Sequence, residues 1–262
     1  MANDNFSISY FDTCGSHVML LLHGYTLNNG MWAPQYSDLY DLARMIAPDF
    51  PGHGTSDILD EEYPIALLAR QCLDLLDSLG ITQPVVLCGL SMGGLVAFEL
   101  MRQAPERVKG LILTSTQPTA DSYATRTLRE SQITQIRHGR YDRLMDDALP
   151  RYFSPVTLDE NGDLVEFVRE LVASTTPEGA IGALRAMKER PNSTGLLPKI
   201  DIPTLVIHGE DDLIVSVQEA ETMAAAIPTA ELHILPDAGH LPNLEQPEIF
   251  NDIVAAFLEE LG

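Results

Sequence analysis

The stretch Val85-Val86-Leu87-Cys88-Gly89-Leu90-Ser91-Met92-Gly93-Gly94 decides the fold. Its first half is a short, unbroken apolar run. Buried parallel strands have this character, because helices cover both of their faces. Its second half is a G-x-S-x-G pattern, and a helix follows from Met92 to about Gln103. A strand thus passes into a helix through one tight turn with Ser91 at its apex. The positions two before and two after the serine need little or no side chain. Such a turn strains the serine backbone and exposes the hydroxyl at the carboxyl end of the strand. The helix N-terminus aims backbone N–H groups at the same place, which favours a developing negative charge. Taken alone the pentapeptide is weak, and a Gly/Ser turn without chemistry is its bland alternative. The strand before it and the helix after it give it force.

Outward from this turn, short apolar runs alternate with longer amphipathic stretches. Strands are expected at Val18–Leu22, Arg44–Ala47, Pro84–Cys88, Val108–Leu113, Thr204–Ile207 and Glu231–Leu235. Helices are expected at Met31–Ala43, Pro64–Leu79, Ser216–Ala226 and Pro247–Leu261, with Gly80 stopping the second. Between Asp121 and Arg190 the rhythm becomes wholly helical. Four helices are expected there, at Asp121–His138, Tyr141–Leu149, Asp163–Ser174 and from Thr176, which caps Pro177. The expected fold is α/β, a mostly parallel sheet flanked by helices and interrupted by an all-helical insertion.

Charge marks the same insertion. The 262 residues carry a net charge of −22, yet 10 of the 16 basic residues and only 12 of the 38 acidic ones lie between Pro118 and Pro198. The expected division is a core of residues 1–117 and 199–262 with an insertion of residues 118–198. So acidic a surface repels nucleic acid and anionic membranes, and neither is expected as a partner. Cys14, Cys72 and Cys88 suggest no disulfide framework, and Cys88 reads as a buried small hydrophobe. The start, Met1-Ala2-Asn3-Asp4-Asn5, does not resemble a secretory signal, and no apolar run is long enough to span a bilayer. The expectation is a complete chain in the cytoplasm, of unspecified oligomeric state.

A serine hydroxyl is a poor nucleophile and needs a base. Of seven histidines, His240 stands apart. It follows the last strand in Pro236-Asp237-Ala238-Gly239-His240, on a loop at the carboxyl edge of the sheet, where parallel strands deliver functional loops. The base needs a carboxylate to orient it. After Thr204–Ile207 comes His208-Gly209-Glu210-Asp211-Asp212, and the residues alone do not choose among Glu210, Asp211 and Asp212. Any of them gives the chain order Ser…acid…His, unlike the chymotrypsin or subtilisin types. Oxyanion donors are expected in the backbone N–H groups of Met92, after the serine, and Tyr25, where Leu22-His23-Gly24-Tyr25 leaves an earlier strand. The bland reading of His23-Gly24 is a strand-ending turn.

Together these residues resemble the α/β-hydrolase superfamily. Two further landmarks carry the resemblance. Asp49-Phe50-Pro51-Gly52-His53-Gly54-Thr55-Ser56 looks like the family's structural D-x-x-G-x-G-x-S loop. Gly239-His240, followed by Glu245-Gln246-Pro247-Glu248, looks like its G-H…E-x-P-E ending. The resemblance selects Asp212, as the last residue of G-x-x-D, for the acid. The proline common soon after this acid is absent, since Leu213-Ile214-Val215 leads to Ser216, and Asp211 stays the alternative. Ser91 is unlike the Asp nucleophile of the dehalogenase and epoxide-hydrolase branches. Met31-Trp32 with Pro34-Gln35 resembles the enol-lactonase and small-ester group, and the insertion resembles that family's helical cap. The resemblance implies a serine hydrolase of small or medium esters, with catalytic Ser91, His240 and Asp212. A small ester or lactone is the expected partner, and the machinery calls for no cofactor or metal. Enol-lactonase, carbon–carbon bond hydrolase and non-turnover receptor are the rivals. Arg126, Arg129, Arg137, Arg140 and Arg143 would serve a substrate carboxylate, but pairing with nearby acids on a solvated helix face is the expected role.

Overall fold

The register of one sheet brings the distant loops of this chain together. In the computed structural model, residues 7–13, 15, 17–59 and 62–262 are described; Cys14 and the Met1–Asn5 start lie outside them. The strands are β1 (Tyr10–Asp12), β2 (His17–Leu22), β3 (Ala43–Pro48), β4 (Val85–Leu90), β5 (Val108–Thr114), β6 (Thr204–Gly209) and β7 (Ala230–Leu235). Their order is β1-β3-β2-β4-β5-β6-β7. Only the β1–β3 pair is antiparallel. Every residue of β4 and β6 is buried, as expected for strands covered on both faces.

The helices are α1 (Ala33–Asp38), α2 (Ile65–Ser78), α3 (Met92–Gln103), α4 (Tyr123–Arg137), α5 (Tyr141–Ala148), α6 (Pro155–Glu160), α7 (Gly162–Ala173), α8 (Pro177–Lys188), α9 (Val217–Ala226), α10 (Pro242–Glu245) and α11 (Pro247–Glu260). Helices α4 to α8 all fall between β5 and β6, with no strand among the described residues of that segment. Ser122, Ser154, Asn161 and Thr176 each cap the helix that comes next, accepting a backbone N–H through the side chain.

Across the middle of the sheet, Leu22 pairs with Gly89, Gly89 with Leu113, Leu113 with Val206 and Val206 with Leu232. The carboxyl ends of these strands are therefore level. The loops that leave them, starting at His23, Ser91, Ser115, Glu210 and Pro236, emerge along one edge. In an open parallel sheet that edge is where ligands bind.

Three local differences from the sequence pattern have physical reasons. The helix expected over Met31–Ala43 is a 3₁₀ turn at Asn29–Trp32 followed by the short α1. Ala43 belongs instead to β3, where it pairs with His17, so the helix must end early to let the chain turn. Strand β1 escapes the pattern because all three of its residues are exposed, leaving no alternation to read. Helices α6 and α10 have six and four residues, too few for a helical period to emerge. The insertion therefore has five helices where the sequence predicts four.

The Asp49–Ser56 loop is an internal brace. Asp49 is buried, and its Oδ1 accepts from both the backbone N–H (2.7 Å) and side-chain amide (2.8 Å) of Asn29. Gly54 has φ +53°, and a Cβ there would strike the Asp49 carboxylate. Ser56 Oγ donates to the Asp49 carbonyl (2.6 Å) and accepts from Ser9 N–H (2.8 Å). Each orphaned buried group costs about 1–3 kcal/mol. Asp49→Ala should lower the unfolding free energy by about 2–4 kcal/mol in urea denaturation; a loss below about 0.5 kcal/mol, typical of surface changes, would contradict the brace.

Candidate active site

Ser91 joins β4 to α3 with φ 54° and ψ −112°, a backbone conformation that L-residues rarely adopt. Its surroundings explain the glycines. A Cβ at Gly93 would run into the Leu22 carbonyl of β2, and one at Gly89 into the backbone of Gly93 and Gly94. A Cβ at Gly94 would collide with the Thr116 side chain. Two bonds from the β5 end hold the turn. Ser91 N–H donates to the Thr114 carbonyl (2.9 Å), and Thr116 Oγ1 donates to the Ser91 carbonyl (2.8 Å).

The first turn of α3 is pressed against β2, and the loop leaving β2 lies beside the serine. A Cβ on Gly24 would approach Ser91 Cβ at 3.6 Å. Among the described residues, neither Met92 N–H nor Tyr25 N–H has an intramolecular acceptor. His23, just before Gly24, is structural: Nδ1–H donates to the Gly24 carbonyl (2.8 Å) and Nε2 accepts from Phe50 N–H (2.9 Å). Burial lowers its pKa to about 4, so it stays neutral.

His240 sits on the loop after β7, with its backbone N–H bonded to the Tyr152 carbonyl (2.8 Å) and its ring alongside that of Tyr152. Nδ1 lies 2.8 Å from Asp212 Oδ2. An ionised carboxylate only accepts, so the proton sits on Nδ1 and Nε2 is left as the acceptor. Asp212 Oδ1 takes the N–H groups of Ile214 (2.8 Å) and Val215 (3.0 Å). Burial alone would raise the Asp212 carboxyl. The neighbouring His240 and the bonds from His240, Val215 and Ile214 outweigh it and hold the pKa below its ordinary value. Glu210 and Asp211 make no bond to His240; their backbone N–H groups go to the Leu235 and Ala238 carbonyls. Behind Asp212, His208 is buried and donates Nε2–H to the Val215 carbonyl (2.9 Å). Its pKa is lowered by burial, against the pull of Asp212.

Ser91, Met92, Tyr25 and His240 all line one cavity of about 400 Å³, with Asp212 behind His240. The opposite wall comes from the helical insertion, through Leu128, Arg129, Met145, Tyr152, Leu184 and Met187. All five residues expected at the site therefore meet at one edge of the sheet. Sequence reasoning misses others. Glu245 reads in the sequence only as part of a motif, yet its carboxylate accepts Gly239 N–H (2.8 Å), Leu241 N–H (3.3 Å) and Ser154 N–H (2.7 Å). It thereby ties both neighbours of His240 to the insertion. Arg129, expected on a solvated face, turns inward onto buried Asp121. The solvated pairing holds for Arg126 with Glu189 and for Arg143 with Asp147.

Fold and site together define an α/β hydrolase. Residues 19–253 match the alpha/beta hydrolase family, and the chain belongs to it. It is 30% identical to 3-oxoadipate enol-lactonase 2 of Acinetobacter baylyi over 90% of this chain and 86% of that one. It is also 30% identical to the pimeloyl-[acyl-carrier protein] methyl ester esterase of Nitrosospira multiformis, over 88% and 90%. Among solved structures, a thermophilic esterase from Thermogutta terrifontis with malate bound superposes with a TM-score of 0.96 at 34% identity, over 100% and 96% of the two chains. The protein is a hydrolase of the enol-lactonase-like and esterase group. Among the described residues, no helix is long and apolar enough to cross a membrane.

The depressed Asp212 pKa links the site to stability. A carboxyl that ionises more readily when folded favours the folded state above its ordinary value, near 3.8, and loses that contribution as pH falls through the lower folded value. Asp212→Asn removes the titration. The stability gap between wild type and Asp212→Asn, from urea denaturation, should be largest near neutral pH and shrink below about pH 4. A gap that widens on acidification would contradict the assignment.

Proposed function

We propose that the protein is a serine hydrolase that cleaves small or medium carboxylic esters through an acyl-enzyme intermediate. Ser91 Oγ attacks the ester carbonyl carbon as His240 Nε2 takes its proton. The oxyanion is held by the N–H groups of Met92 and Tyr25. Collapse expels the alcohol, which takes the proton back from His240. Water then attacks the acyl-enzyme, giving a proton to His240, and the acid leaves as Ser91 regains its hydrogen. Asp212 fixes the tautomer and stabilises the imidazolium throughout. The observation that carries this reading is the Asp212–His240 bond of 2.8 Å facing the same cavity as a serine at φ 54°.

In this reading residues 118–198 form a cap over a core of 1–117 and 199–262, and the cap sets substrate choice. A lactone is an internal ester and needs no different machinery. The likeness to a 3-oxoadipate enol-lactonase favours it as a second substrate class. Work in the cytoplasm on a small ester or lactone suits the chain's acidic surface.

Ser91→Ala should lower turnover of p-nitrophenyl esters by at least about 10⁴-fold and abolish fluorophosphonate labelling, with the urea midpoint retained. Turnover within tenfold of wild type would end the serine-hydrolase reading, and rapid labelling without turnover would favour a receptor. A panel of neutral esters and lactones ranks the two substrate classes.

Glu245 acts here as a positioning residue. Glu245→Ala should lower kcat by about 10- to 100-fold with KM changed far less, because displacing a reacting group by about 1 Å costs on that order. An effect confined to KM would assign Glu245 to substrate binding instead.

A further inference from the structure

The charge inside the cavity is opposite to that of the chain. The protein has 38 acidic residues against 16 Lys and Arg. Yet Arg129, Arg151 and Arg190 line the cavity, and no Asp or Glu does. Arg129 and Arg190 both pair with Asp121, whose side chain is fully buried. Two guanidinium groups share one carboxylate, which leaves a net positive charge where ions are costly to bury unpaired.

The two arginines differ in what they have left to give. Arg190 is committed to the fold: Nε and Nη2 donate to the Thr119 carbonyl (3.1 and 2.7 Å), and Nη1 to the Met187 carbonyl and Asp121. Arg129 spends one edge of its fork, Nε and Nη2, on Asp121. Nη1 has no partner among the described residues. Arg151 donates to the Leu213 carbonyl (3.0 Å) and makes no ion pair among the described residues. A third polar group waits nearby. Tyr25 lines the cavity, and its hydroxyl is buried without a partner among the described residues.

We propose that the preferred substrates carry a second, free carboxylate on the acyl part, gripped by the open edge of Arg129 and attracted by Arg151. This deepens the serine-hydrolase reading and rests on it for turnover. A planar guanidinium edge suits a carboxylate, and the charged bond is stronger than a neutral one. The acyl side is assigned because the alcohol leaves first. A grip beside the buried Asp121–Arg190 pair suits the part that stays bound through both steps.

The test compares monomethyl succinate, glutarate and adipate with their dimethyl esters, and measures binding of succinate, glutarate and adipate by calorimetry. At least one monomethyl ester should exceed its dimethyl partner about tenfold or more in kcat/KM. Arg129→Met should abolish that preference, and Arg151→Met should weaken it. Arg151 is exposed and lies outside the buried ion cluster, so its variant keeps the test informative if Arg129→Met fails to fold. The matching dicarboxylate should bind wild type and Ser91→Ala alike, and Arg129→Met at least tenfold more weakly. Ester turnover with dimethyl esters preferred throughout, or a monomethyl preference unmoved in both folded arginine variants, overturns the proposal and leaves the hydrolase reading intact. Arginine-dependent dicarboxylate binding without turnover of any ester upholds the carboxylate grip and overturns the hydrolase reading.

Discussion

The backbone of Ser91 is the constraint on which the rest of this site depends. A non-glycine residue in so rare a conformation costs on the order of 1–3 kcal/mol, and persists only where its surroundings over-determine it. Here they do. The turn is bonded to the β5 end through Thr114 and Thr116. Gly93 lets α3 lie against the Leu22 carbonyl at a distance no side chain would permit. Ten of the twelve residues of α3, from Met92 to Met101, are buried. The strain is thus opposed by packing over the whole length of the helix. The same close approach that needs glycine also sets two N–H groups without an acceptor among the described residues, from α3 and from the loop after β2, beside the serine.

The imidazole is fixed just as firmly, but by polar contacts. Asp212 holds one ring nitrogen, and Ile214 and Val215 hold Asp212. Glu245 holds the residues on either side of His240 and also Ser154 in the insertion. Three chain segments distant in sequence therefore agree on one ring position. Burial raises the Glu245 pKa, opposed by the backbone N–H groups it accepts. A partly desolvated carboxylate kept in such a place is reasonable only because it satisfies donors that would otherwise be orphaned.

How much of this was legible in the sequence depended on whether the signal was local. Strands β2, β4 and β6 could be read because burial on both faces leaves an unbroken apolar run, and β5 because Leu111-Ile112-Leu113 still shows through after Lys109. Ser91 and Met92 could be read because the elbow imposes its glycines within five residues. Among Glu210, Asp211 and Asp212 local chemistry is indifferent, and the choice appears only when His240 arrives from another loop. Glu245 and Arg129 were illegible for the same reason. Nothing near Arg129 in the chain distinguishes it from Arg126 or Arg143, which remain on the solvated face. What turns it inward is Asp121, eight residues earlier, together with Arg190 from the end of α8.

That inward turn explains how an acidic protein can present a positive cavity. Surface carboxylates face water, where charges are screened within about 8 Å at physiological ionic strength. The buried Asp121 cluster lies in a medium of lower effective dielectric, where the same charge acts several times more strongly. A bound molecule in the cavity therefore feels Arg129 and Arg190 more than the acids on the outer surface. The insertion, which holds most of the chain's basic residues, supplies all three arginines that line the cavity beside Ser91. The uneven charge first visible as a composition shift at Pro118–Pro198 is thus a statement about the inside of the molecule. In the proposed reading a division of labour results: the sheet edge supplies the geometry for attack, and the helices supply the charge that discriminates among substrates.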